Sequence, residues 1–80
     1  MVINTYNDIL QLLKRFGTYI HLGNRLYDME LAAIELDRLY KAQLVDNETY
    51  ARAKIVLNHE HEEELKHPLK LTKWRKDTND

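Results

Sequence analysis

Apolar and polar positions recur with a helical period in three separate runs of this 80-residue chain. In the first, Ile9, Leu10, Leu12, Leu13 and Phe16 repeat at spacings of three and four until Gly17, and Thr5 with Asp8 three residues later forms a capping box in which Asp replaces the usual Glu. This predicts a helix near residues 6–16. In the second run Leu26, Met29, Ala33, Leu36 and Tyr40 form one row that Tyr27, Leu31, Ile34 and Leu39 widen, with Asn24 as N-cap and Lys41 in the last turn, where a cation complements the helix dipole. So broad an apolar face predicts a central helix, near 25–41, packed on two neighbours. Asp46 caps a third helix, near 47–66, whose buried side is marked by Tyr50, Ala53 and Leu57 with Ala51, Ile55 and Val56 on a flanking row. Glu60, Glu62, Glu63 and Glu64 mark a solvated stretch beyond it.

Between the first two helices, Thr18 to Leu22 has strand-like composition but no second strand to receive its hydrogen bonds, so a packed extended turn pinned by Ile20 is expected. Pro68 lacks an amide hydrogen and disfavours helical geometry at His67, which ends or bends the third helix. The fold class is therefore all-α: a compact three-helix bundle over residues 1–67 with a basic C-terminal tail, 68–80, expected either as a mobile arm or as a short, partly ordered helix. The expected core comprises Ile9, Leu13, Phe16, Ile20, Leu26, Met29, Ala33, Leu36, Tyr50, Ala53 and Leu57.

Charge changes the picture at one point. The formal net charge of -1 conceals 7 Lys/Arg against 11 Asp/Glu in residues 1–64 and 5 against 2 in residues 65–80. An acidic body with a basic tail can steer towards phosphate or an acidic partner, although the chain as a whole is not strongly basic. There is no Cys, hence no disulfide framework or thiolate centre. The apolar runs are far too short to span a membrane, and a cytoplasmic protein with no membrane partner is expected.

Catalytic chemistry finds little to work with. Ser is absent as well as Cys, and His21 near Asp28 is the one pairing worth weighing as an activated base. His59 and His61 point to different sides of a helix, and the single Glu64-x-x-His67 spacing lacks the second motif and two further glutamates that a di-iron bundle brings. No enzyme activity, cofactor or metal is expected, and the acidic run reads as a solvated face. The cations are more telling: Lys14 and Arg15 end helix one, Arg25 starts helix two, Tyr19 and His21 stand between them, and Arg38 follows. Cations beside stackable rings are the kind of surface that holds single-stranded nucleic acid. In the tail, Lys73, Trp74 and Arg75 offer the same combination.

The segment Leu12-Leu13-Lys14, Phe16-Gly17, Ile20, Gly23-Asn24-Arg25, Asp28-Met29-Glu30-Leu31 and Leu39-Tyr40 resembles the YqgQ family of small bacterial proteins, and the likeness continues through Leu44-Val45, Tyr50, Ala53 and Ile55 to His59-Glu60. Asn24 stands where the family usually has Asp, and Ala32 where Met is common. The resemblance implies a three-helix bundle and a suggested role in binding single-stranded nucleic acid. It also implies Lys14, Arg15, Arg25 and Arg38 as surface candidates, with Gly17 and Gly23 shaping the turn. The expected function is thus weak, sequence-tolerant binding of single-stranded DNA or RNA at the corner between helices one and two, assisted by the tail. The alternative is a helical module that binds itself or another protein through the broad face of helix two.

Overall fold

A computed structural model describes residues 2–67, which form three helices: α1 (Tyr6–Arg15), α2 (Arg25–Lys41) and α3 (Asn47–Lys66). Each starts at a side chain that occupies otherwise orphaned amides. Thr5 Oγ1 accepts from the Asp8 amide at 3.2 Å while Asp8 Oδ2 accepts from the amides of Asn4 and Thr5 at 2.9 and 3.0 Å, completing the capping box. Those two amides hold the Asp8 carboxyl below the usual aspartate range. Asn24 and Asp46 cap α2 and α3 in the same manner, through the amides of Tyr27 and Thr49.

The two internal helix ends share one device. At the end of α1 the Thr18 amide reaches back to Leu13 O at 3.0 Å and the Gly17 amide to Lys14 O at 2.9 Å, with Gly17 at φ 84. At the end of α2 the Leu44 and Gln43 amides reach Leu39 O and Tyr40 O, both at 2.9 Å, with Gln43 at φ 63. Both are Schellman turns, one built with glycine and one without.

α2 and α3 form an antiparallel hairpin. Tyr40 stacks on Tyr50 with ring centroids 3.9 Å apart, Asp37 receives Tyr50 Oη at 2.7 Å and Lys54 Nζ at 3.2 Å, Glu30 meets His61 at 3.1 Å, and Arg25 meets Glu64 at 3.1 Å. α1 lies against both: its first turn is level with Arg25 and Glu60, and its last faces the α2–α3 turn at Leu44, Val45, Asp46 and Thr49. The connection 17–24 must therefore return the length of the hairpin. Eight residues reach about 26 Å only when extended, close to the roughly 25 Å of a 17-residue helix. This explains why Thr18 to Leu22 has strand-like composition yet forms no strand; Ile20 packs half-buried against the core, as expected.

The core consists of Ile3, Tyr6, Ile9, Leu12, Leu13, Met29, Ala32, Leu36, Val45, Ala53 and Leu57, with Ala33 and Tyr50 half-buried against it. Several expected positions differ. Phe16 is 41% exposed, because the Schellman turn takes the chain out of helical register after Arg15 and leaves the ring beside Leu44. Leu26 is only half-buried, and Ala32 rather than Ala33 occupies the centre of the buried α2 stripe. On α3, Ala51 and Ile55 face outward while Val56 packs inward. Ile3 joins the core from outside any helix; its carbonyl accepts Arg52 Nε at 2.8 Å, which ties the N-terminal segment to α3.

Candidate nucleic-acid interface

The cations expected to gather at one corner are divided between two ends of the bundle. Arg25, in the first turn of α2, places Nε 3.1 Å from Glu64 Oε1 and Nη2 3.6 Å from Glu60 Oε1, and its guanidinium carbon lies 5.4 Å from the centre of the Tyr6 ring. Glu64 is only 7% exposed. The acidic stretch of α3 is thus not uniformly solvated: the arginine opposite draws Glu60 and Glu64 inward, while Glu62 and Glu63 remain in solvent. Two carboxylates oppose a phosphate here, so Arg25 acts as a clamp between α2 and α3. Burial raises the pKa of the Tyr6 hydroxyl, as does the nearby Asp28 carboxylate, with Arg25 acting in the opposite direction.

His21 and Asp28 do not assemble a base. Asp28 Oδ1 accepts the Leu22 amide at 2.7 Å, an interaction that fastens the connection to the first turn of α2. Tyr19 and His21 are exposed on this connection. Among the described residues no group of three or more His, Asp or Glu side chains is placed to hold a metal, and no helix is long and apolar enough to cross a membrane.

The other end holds the remaining cations. Arg15 lines a hollow of about 190 Å³ with Leu12, Phe16, Leu44, Val45, Asp46 and Thr49. Lys41 lines a neighbouring one of about 480 Å³ with Tyr40, Gln43, Val45, Asp46 and Asn47. Val45 and Asp46 are common to both, so Arg15 and Lys41 flank the α2–α3 turn from two sides. Lys14 precedes Arg15 in the last turn of α1, and Arg38 lies in the last turn of α2; all four are exposed. Among the described residues none of the four has a carboxylate within ion-pair distance, in contrast to Arg25 and Lys54.

Lys41 and the exposed Phe16 ring also lie at this end, outside the residues the sequence singles out as candidates. The sequence marks Lys41 as a dipole partner and Phe16 as a core position. The available signal was the position of both at helix C-termini, where cations concentrate and the helical register stops. Lys73, Trp74 and Arg75 lie outside the described residues.

A profile of the YqgQ-like family matches residues 3–63. The chain belongs to the YqgQ-like family. A YqgQ-like relative, the uncharacterised protein YqgQ of Bacillus subtilis (strain 168), is 39% identical over 61 residues, a stretch that covers 76% of this chain and 86% of that one. The match takes in both Schellman turns, the Arg25 clamp up to Glu60 and the cationic end of this YqgQ-like bundle.

Proposed function

We propose that this YqgQ-like chain is a non-catalytic cytoplasmic module that binds single-stranded nucleic acid weakly and without sequence preference, at the α2–α3 turn end rather than at the α1–α2 corner. The supporting observation is the separation of the cations: Arg25 is neutralised by Glu60 and Glu64, whereas Lys14, Arg15, Arg38 and Lys41 surround the turn with no ion pair among the described residues. Phosphates meet such cations without reading sequence, and the exposed Phe16 ring beside Arg15 offers a face on which a base stacks. The basic sequence beyond Lys66, with Lys73, Trp74 and Arg75, adds further charge of the same sign.

Fluorescence anisotropy with labelled oligo-dT and oligo-U at two salt concentrations tests this reading. Binding is expected to weaken with salt and to fall when Lys14 and Arg15 are both changed to Ala. Loss only in a full-length Lys73→Ala, Trp74→Ala, Arg75→Ala variant moves the site to the tail. Folded protein that binds neither oligomer at low salt refutes the reading.

A further inference from the structure

α2 presents one face to neither of its neighbours. Met29, Ala32 and Leu36 are buried, while Tyr27 is 61% and Ile34 51% exposed on the opposite side, with Leu31 half-buried between them. At 3.6 residues per turn, Tyr27, Leu31, Ile34, Arg38 and Lys41 fall within a strip roughly 80° wide. The strip is apolar from Tyr27 to Ile34 and cationic at its end, and Glu30 borders its start. Glu30 meets His61 of its own α3 at 3.1 Å and still remains more than half exposed. From Glu30 through Leu31 and Ile34 to Arg38 and Lys41 the order is acidic, apolar, basic, with Glu35 and Asp37 on the margins of the strip, so this face complements a reversed copy of itself.

We propose that two copies of the chain pair α2 against α2, antiparallel, about a two-fold axis at Ile34. Ile34 then meets its own image. Glu30 and Arg38 stand four residues either side of Ile34, so each Glu30 lies level with Arg38 of the second copy. Tyr27 and Lys41 stand seven either side, so each Tyr27 ring lies level with a Lys41 ammonium of the second copy. Such self-complementarity is what an isologous interface requires: every favourable pair occurs twice. A parallel pairing would set Arg38 against Arg38 and Glu30 against Glu30. The second copy is therefore favoured over an unrelated helix by the charge order itself. Arg38 and Lys41 belong to both surfaces, whereas Lys14 and Arg15, on α1, take no part in this one, so Lys14→Ala with Arg15→Ala weakens nucleic-acid binding while leaving association unchanged, which separates the two readings.

One helix pair buries less than a standard interface of about 1,600 Å², so the mass of the full chain in sedimentation equilibrium is expected to rise from 9.6 kDa towards twice that between about 10 μM and 1 mM. Ile34→Glu places two carboxylates on the axis and is expected to weaken association at least about tenfold, with helical circular dichroism unchanged because the position is exposed. Glu30→Lys also weakens it, and Glu30→Lys combined with Arg38→Glu restores it. A mass that stays at 9.6 kDa throughout overturns the proposal. So does association that survives Ile34→Glu, or a double reversal that fails to restore it.

Discussion

Gly17 and Gln43 occupy the same position in two equivalent turns, and the difference between them is measurable. Both have positive φ, 84 and 63, and a Cβ built on Gly17 meets nothing within 4 Å, so the cost of a side chain there is purely one of backbone conformation. Gln43 already bears such a cost, because the left-handed region costs an L residue about 1 kcal/mol or more. Gln43→Gly is accordingly expected to stabilise the fold by up to about 1 kcal/mol in urea denaturation, and Gly17→Ala to destabilise it by about 1–2 kcal/mol. A second residue-scale cost lies in Tyr6, whose hydroxyl is buried with no hydrogen-bond partner among the described residues. Tyr6→Phe removes that group while keeping the ring beneath Arg25, so it is expected to be neutral or stabilising by about 0.5–1 kcal/mol in the same measurement. A clear loss of stability would show that the hydroxyl is satisfied in solution.

Between elements, the α2–α3 hairpin is fastened at both ends by charge. At the turn end, donation from the Tyr50 hydroxyl, followed by that from Lys54, holds the Asp37 carboxyl below its ordinary range, and donating that bond to a carboxylate raises the pKa of Tyr50. A depressed carboxyl pKa contributes stability that is present above the unfolded value and lost as pH falls through the folded one. A raised phenol pKa contributes stability that is present below the unfolded value and lost as pH rises. The unfolding midpoint should hence be flat through neutrality, dropping below about pH 4 and above about pH 10. Tyr50→Phe should blunt both limbs. At the other end, Arg25→Ala leaves the Glu64 carboxylate buried without its cation; with Arg25 itself a third exposed, the expected loss is about 1–3 kcal/mol. Replacing both partners, Arg25→Met with Glu64→Leu, should recover most of it, and a cycle with no coupling would show the pair to be incidental. This clamp also marks the limit of legibility in the sequence. The caps at Thr5, Asn24 and Asp46, the three helices and the Gly17 turn were readable because each depends on neighbours within a few residues. The sequence alone marks Glu64 as solvated, because its partner is 39 positions away. The period points to Ala33 in place of Ala32 because it defines a broad stripe and only the positions of α1 and α3 select its centre. Ile3 lay outside every period.

At the scale of the molecule, four cations without an ion-pair partner among the described residues gather at the turn end of the hairpin. Lys14 and Arg15 close α1 and Arg38 and Lys41 close α2, all near the α2–α3 turn, where Asp46 is held by the first turn of α3, Asp37 by Tyr50 and Lys54, and Glu48 stands exposed. Asp28 and the Glu60–Glu64 run lie at the opposite end with Arg25 among them. Helix direction produces this sorting, since C-terminal turns favour cations and α1 and α2 both end at the same place. Arg15 and Arg25 lie close in sequence but not in space, because the extended connection 17–24 spans the two ends of the bundle rather than folding them together. This separation leads to a quantitative distinction between the cations. For a single strand, the slope of log K against log salt is about −0.7 for each phosphate neutralised. If Lys14 and Arg15 each neutralise one phosphate, the Lys14→Ala, Arg15→Ala variant should show a slope shallower by about 1.4 than the parent chain. Arg25→Lys should leave the slope unchanged, because that cation already faces two carboxylates. Measured by anisotropy across a salt series on the full chain, the opposite result, a slope altered by Arg25→Lys and indifferent to Lys14 and Arg15, would return the interface to the α1–α2 corner and discard the turn end.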